Sequence, residues 1–415
     1  MRRAASALLA AAFAVTLLPV PWGDERVSDL FLYRTNAAAF LDGALPFRDL
    51  SFEYPPLAAP LMALPGLAGT GEEAYRLAFG TLALALALAV VLLCGALAAR
   101  TEGHRGAAIL AAALMPLLTG AMIRTHFDLA PVALTLGALL LLCAGRPRAG
   151  FLVLGVAVMT KGFPLVVAPV ALGWLVARGE RRAAVSGALV LALTCATIAG
   201  LAVAASPSGA LDAVTYHLDR PVQLESTPAS VLLALDGLGA GTSESVHSQR
   251  SDGLEHPLAG AVSALFGLLL VGVVVLCAAT ASRPRGAAPS KRELVLGSLT
   301  AVAAFAALGK VLSPQFLIWV VPLAALALAW GMRLLTAACA AAILLTLVEF
   351  PVHYADVVAR EPEWLLLVAL RNLVLVGVLV LALRALVAKP AGAAGGAAAR
   401  SPWRARPHPP RPAPR

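Results

Sequence analysis

The chain has 415 residues, of which 60% are hydrophobic and only 13% charged, and it carries a formal net charge of +9. An ordinary soluble domain is about 45–50% apolar and about 25% charged, so this chain lacks the polar residues to coat a water-soluble globule, and it is too apolar to stay unfolded. Its long unbroken Ala/Leu/Val runs exclude a transmembrane β-barrel, which needs alternating segments of about ten residues, and they predict an all-α polytopic membrane protein.

Met1-Arg2-Arg3 and the apolar run behind it look like the start of a signal peptide. No small-x-small cleavage site follows, which predicts a retained first span at 4–22. A first outer loop and its interfacial pieces fill 23–72. Within it, residues 28–41 fit a helix lying on the membrane surface. Asp29, Tyr33 and Asn36 recur at i, i+4 and i+7 on one face, while Leu30, Ala37 and Leu41 line another. Two readings stand side by side: a solvated amphipathic helix, or an acid–phenol stripe that acts on a hydroxyl substrate. Glu53-Tyr54-Pro55-Pro56 then leads an extended chain into a short helix, because proline is tolerated in a first turn. Tyr54 is either an interfacial anchor or part of a site. The run 57–69 is short and contains Pro60 and Pro65, so it predicts a re-entrant or interfacial piece.

Further spans are predicted near 73–99, 106–122, 128–145, 183–205, 258–281, 293–309, 315–332, 334–350 and 363–386. Arg124-Thr125-His126-Phe127-Asp128 forms a tight polar link between two of them. The stretch 151–177 is apolar except for Thr160 and Lys161, and it contains Pro164 and Pro169. It reads as two short helices meeting at Lys161, for about twelve crossings in all. A lysine inside an apolar stretch must snorkel, find a partner or face a ligand, and phosphate is a ligand that lysine takes as a point charge. Lys310 sits between two spans on the same face. A large outer loop, 206–257, contains Arg220, Gln223 and Glu225, a mixture of donors and acceptors suited to sugar hydroxyls and phosphate but also to any polar loop. Arg371-Asn372, deep in the last span, reads as a structural pair with a neighbouring helix.

Orientation follows from the charges. With the N-terminus inside, 21 of the 32 Lys/Arg fall in inside segments, ten outside and Arg371 within a span, while 20 of the 23 acids lie outside. That split obeys the positive-inside rule. It places both termini in the cytoplasm and makes the basic balance no signal for nucleic acid. The membrane domain is expected over 1–386, with a disordered basic cytoplasmic tail over 387–415 that meets anionic lipid. The five cysteines all lie in predicted spans and read as packing residues. On this topology Asp29, Glu53, Arg124, Asp128, Lys161, Arg220, Glu225 and Lys310 all emerge on one face. The chain has no phosphate-cradling glycine loop and no metal-protease motif, so a lipid-linked substrate at the outer leaflet fits better than a cytosolic nucleotide.

Five motifs carry a family resemblance: Asp29-Leu30-Phe31-Leu32-Tyr33-Arg34, Glu53-Tyr54-Pro55-Pro56, Lys161-Gly162-Phe163-Pro164, Arg220-Pro221-Val222-Gln223-Leu224-Glu225-Ser226 and Lys310-Val311-Leu312-Ser313-Pro314-Gln315. In this order, over about 24–325, they resemble glycosyltransferase family 87, which includes actinobacterial polyprenol-phosphate-mannose-dependent α-mannosyltransferases. The resemblance implies a GT-C helical bundle with its active site at the extracytoplasmic membrane surface. It implies a polyprenyl-phosphate-sugar donor, a lipid or glycan acceptor, inversion at the anomeric carbon, and neither metal nor cofactor. It makes Asp29 the catalytic base, with Asp24 and Glu25 as rivals. Tyr33, Arg34, Glu53, Tyr54, Arg124, His126, Asp128, Lys161, Arg220, Gln223, Glu225, Lys310 and Gln315 are the expected substrate-binding set. The competing reading is a transporter or flippase for a lipid-linked or anionic substrate, with Lys161 and Arg371 along its path. A transporter concentrates its polar residues at the membrane midplane, whereas here they gather at one surface.

Overall fold

The computed structural model describes residues 2–25, 27–283 and 288–388, so the expected tail over 387–415 lies almost wholly outside the described residues. The chain folds as a helical bundle in which successive helices pack on one another through short connections. The observed elements follow the predicted spans closely. Glu72–Arg100, Arg181–Ala205, Ala259–Ala281 and Pro362–Val387 are each long and apolar enough to cross a membrane. The stretch 151–177 divides as expected into Pro147–Thr160 and a second piece that starts with a 3-10 turn at Phe163–Val166 and continues as Val167–Ala177.

Of the other predicted spans, 293–309 and 334–350 are matched by the unbroken helices Lys291–Leu308 and Arg333–Glu349, while two are broken where a proline falls. The 106–122 span divides into Arg105–Ala113 and Met115–Thr119, with Pro116 in the first turn of the second piece. The 315–332 span opens as a 3-10 turn, Pro314–Val320, and becomes α-helical only at Val321–Ala329, which has Pro322 in its first turn. By length and composition, then, four of the expected twelve or so crossings stand on their own among the described residues.

The most enclosed helix is Lys291–Leu308, buried along almost its whole length from Leu294. A Ser290–Glu293 capping box starts it, each side chain taking the other's backbone N–H. Peripheral helices do the reverse. Leu189, Leu193 and Leu201 on Arg181–Ala205, and Leu268 on Ala259–Ala281, are exposed. Such apolar outer faces suit hydrocarbon as the surrounding solvent.

Among the described residues, the segment 206–257 departs from an all-α fold. Three short strands, β1 (Val222–Gln223), β2 (Glu244–Ser248) and β3 (Ser251–Glu255), form an antiparallel sheet in the order β1-β3-β2. Val222, Leu224 and Leu254 under this sheet pack with Leu232 and Val368 in a small core of their own. A second satellite core lies under the first outer loop. There the helices Leu30–Leu41 and Ala58–Gly66 pack together, burying Tyr33, Phe52, Met62 and Phe79. The five cysteines are free, and all but Cys195 are buried.

Candidate active site

A cavity of about 430 Å³ opens where the segments 23–72 and 206–257 meet the ends of the bundle helices, within the size range of small-molecule sites. Among the predicted acids and phenols, Asp29, Glu53 and Tyr54 line it. Asp29 sits at the start of Leu30–Leu41, one turn before Tyr33, and this i, i+4 spacing lets the Tyr33 hydroxyl donate to Asp29 Oδ2 at 2.9 Å. Tyr33 itself is buried in an aromatic nest, with Phe79 stacked on it and Phe127 and Tyr54 edge-on. Burial, and then the Asp29 charge, hold both phenols well above their ordinary pKa. They stay neutral donors, and Asp29 has a fixed orientation. His126 Nε2 lies 3.8 Å from the same carboxylate.

Glu53 is the second carboxylate on the cavity. Its side chain is only 8% exposed, and burial raises its pKa, with the neighbouring Arg250 pulling the other way. Arg250 Nη1 approaches Glu53 Oε1 at 3.3 Å, while His217 Nε2 bonds the Glu53 carbonyl at 2.7 Å.

Lys161 caps the helix Pro147–Thr160, where the chain turns extended. Its ammonium donates to Asp128 Oδ1 at 2.7 Å and faces the rings of Phe127, Phe316 and Trp319 at 5.0, 5.2 and 5.5 Å. Asp128 is fully buried and also takes the Trp319 indole N–H at 2.6 Å, leaving Oδ2 without a partner. Phe163, Trp319 and Phe316 stack with centroids 4.0 Å apart on each side. The stack is a flat apolar wall on one side of the cavity.

Arg220 and Lys310 close the other side. Lys310 donates to the carbonyls of Leu218 and Arg220 at 2.7 and 2.8 Å, and its own carbonyl accepts from Gln223 N at 2.9 Å. Burial lowers its pKa, and the Arg220 charge adds to that. No carboxylate of the described residues pairs with Arg220, whose Nε is shielded from solvent and unpartnered. Of the cations lining the cavity, Arg220 is therefore the one least committed to a protein partner.

The predicted set thus separates by position. Asp29, Glu53, Tyr54, Lys161, Arg220, Lys310 and Gln315 line the cavity. Tyr33, His126 and Asp128 stand behind it as supports. Gln223 and Glu225 lie a layer deeper: Gln223 Nε2 reaches Ser313 Oγ and Glu225 Oε2, both at 3.3 Å. Burial, and then the neighbouring Glu349, raise the Glu225 pKa. Arg371 Nη2 donates to the Glu225 carbonyl at 2.8 Å and Nη1 to Thr346 Oγ1 at 3.2 Å, so the interior arginine does tie its helix to a neighbour.

Two expected binders face elsewhere. Arg34 lies over Phe31 and reaches the Thr70 carbonyl at 3.5 Å on the exposed side of its helix. Arg124 is buried among main-chain acceptors, donating to Thr16 O and Gly23 O at 2.8 Å and pairing with Glu25. It fastens the end of the first helix. Truncating it would leave those acceptors unmet, at a cost on the order of 3 kcal/mol. Arg124→Met should therefore lower the thermal midpoint in detergent while leaving the donor KM of surviving protein unchanged; a raised KM with an unchanged midpoint would place Arg124 at the substrate. Glu25 also lies 3.7 Å from Arg76, and neither Asp24 nor Glu25 lines the cavity.

Several cavity residues escaped the sequence reading: Tyr216, His217, Arg250, Phe163, Phe305, Phe316 and Trp319. The aromatic members had one available signal, since Phe163 lies inside the motif that starts at Lys161 and Phe316 directly follows the one that starts at Lys310. Among the described residues no group of three or more His, Cys, Asp or Glu side chains gathers to hold a metal ion.

An apolar helical bundle that gathers a buried acid, cations and an aromatic wall at one end has the makings of a membrane enzyme. Residues 52–314 match the profile of Glycosyltransferase family 87, and the chain belongs to that family. It is a membrane glycosyltransferase. No curated protein and no solved structure matches it.

Proposed function

We propose that the protein transfers a hexose, with mannose favoured by the family resemblance, from a polyprenyl-phosphate-sugar donor to a lipid or glycan acceptor on the extracytoplasmic face of the bacterial plasma membrane. The observation that carries this reading is the pairing of an unpartnered Arg220 with Asp29 and an aromatic wall in one cavity. Its depth supports a lipid-borne donor. The helix Pro147–Thr160 has 14 residues and ends at Lys161, a length of about 21 Å. A bilayer core is about 30 Å thick, so a helix of this length spanning from the inner boundary would leave the cavity floor within reach of the acyl region. The ends of these helices away from the cavity carry Arg146, Arg148, Arg178, Arg181 and Arg182, which favours an extracytoplasmic cavity, about twelve crossings and cytoplasmic termini.

In this mechanism an acceptor hydroxyl attacks the sugar C1 as Asp29 takes its proton. The C1–O bond to phosphate breaks on the opposite face, its electron pair leaving on the prenyl phosphate, and the configuration inverts. The leaving group is already anionic, so it needs charge stabilisation more than a proton, and Arg220 supplies it, with Lys161 and Lys310 alongside. Tyr54, Glu53 and Gln315 are placed to recognise sugar hydroxyls.

Full-length protein in nanodiscs, given labelled polyprenyl-phosphate mannose and extracted envelope lipids, should move label into the lipid or glycan fraction. Failure to do so, with transfer from a nucleotide sugar instead, would overturn the reading. Arg220→Gln should lower kcat/KM for the donor roughly 10- to 100-fold, the loss of a charged hydrogen bond to phosphate.

A further inference from the structure

A second cleft, of about 770 Å³, lies beside the Asp29 cavity and shares Arg220 and Lys310 with it as a common wall. Its other wall is a sheet face. Alternate residues of a strand point the same way, and Glu244, Val246 and Ser248 of β2, with Thr242 just before them, all line the cleft. Pro221 lies flat against this face because residue 253 is glycine; a Cβ there would meet Pro221 Cγ at 2.7 Å. The tip of the same hairpin carries Arg250 into the Asp29 cavity. One hairpin therefore borders both spaces.

The two spaces differ in chemistry. The Asp29 cavity offers cations and stacked rings. The cleft offers hydroxyls and carboxylates, with Glu244 and Glu255 directly opposite each other across the β2–β3 ladder. Like charges so placed destabilise a sheet. Neither carboxylate has an ion-pair or side-chain hydrogen-bond partner among the described residues. Both side chains are exposed, so their oxygens are open to hydroxyl donors from a ligand. An anionic ligand would be repelled by the acid pair, and a cation would meet the Arg220–Lys310 wall. A neutral polyol brings hydroxyl donors without either penalty.

We propose that this cleft seats a neutral, hydroxyl-rich acceptor, the sugar head of a glycan or glycolipid, and leads one of its hydroxyls past Arg220 to Asp29. The proposal rests on the reading of the Asp29 cavity as the donor site. It is tested on full-length protein in nanodiscs with two independent probes: α-mannobiose for the cleft, followed by saturation-transfer NMR, and geranyl phosphate for the Asp29 cavity.

The double variant Glu244→Gln/Glu255→Gln should weaken mannobiose binding at least tenfold and leave geranyl phosphate binding within twofold. Val246→Trp, which fills the cleft without touching its charge, should do the same. Mannobiose affinity unchanged in both variants, or no mannobiose binding by the wild type, overturns the proposal. So does tighter binding of mannose 6-phosphate than of the neutral sugar, or mannobiose binding that appears only with added Ca²⁺ and is lost to a chelator. Failure of the wild type to bind geranyl phosphate strikes the donor reading instead, while the mannobiose arm still decides the cleft.

Discussion

Asp29→Asn should abolish sugar transfer and leave the protein folded. The substitution is nearly isosteric, and the amide oxygen still accepts the Tyr33 hydroxyl that now bonds Asp29 Oδ2 at 2.9 Å. The aromatic nest around Tyr33 is untouched, so the thermal midpoint should hold. The variant can no longer take a proton from the attacking hydroxyl, and positioned general bases contribute about 10²- to 10⁴-fold. Single-turnover transfer from labelled donor should fall by about that factor, with the donor KM within twofold, since phosphate contacts are made by other groups. The alternative base in the cavity is Glu53, whose burial raises its pKa. If Asp29→Asn keeps its activity and Glu53→Gln loses it, the base is Glu53. If both variants remain active, neither carboxylate is the base.

The membrane helices were legible because each is a long apolar run punctuated by proline or charge. Lys161 was the clearest case, a lone cation in an apolar stretch with Pro164 and Pro169 after it, and the structure turns there. The pairing of Asp29 with Tyr33 was legible from the i, i+4 spacing alone. Long-range partners were not. Nothing in the sequence says that Trp319 donates to Asp128 across 191 positions, or that Arg124 serves main-chain carbonyls instead of a ligand. The hairpin was hidden for a different reason. A two-residue hairpin turn usually announces itself with Asn-Gly or Asp-Gly, because both central residues need positive φ. Here Gln249 and Arg250 take φ of 47° and 51°, a conformation that side chains with a Cβ adopt at a cost. The tertiary contacts hold it: the Tyr216 hydroxyl donates to the Gln249 carbonyl, and Arg250 meets Glu53. The strained turn is also what delivers Arg250 to the cavity, so the element that local propensity hides is one that shapes the site.

The Lys161–Asp128 pair separates stability from chemistry. Asp128 is fully buried and the Lys161 side chain is 14% exposed, so the pair is little screened. Removing one partner of such a pair typically costs about 3–5 kcal/mol, because a charge is left without its counterpart, whereas replacing both costs little. Asp128→Ala would leave the ammonium with only the three aromatic faces. Lys161→Met would leave a buried carboxylate with the Trp319 N–H as its partner. Each single variant should therefore unfold at a clearly lower temperature in detergent. The double variant Asp128→Asn/Lys161→Met should recover most of that loss, since the amide still accepts from Trp319 and the thioether suits the ring cage. Transfer should behave otherwise. If Lys161 places its charge beside the donor phosphate, the stable double variant still lacks it, and kcat/KM for the donor should stay down by at least tenfold. A double-mutant cycle run on both readouts makes the comparison direct. Recovery of transfer together with stability would make Lys161 a structural cation, and the phosphate would then belong to Arg220 and Lys310 alone.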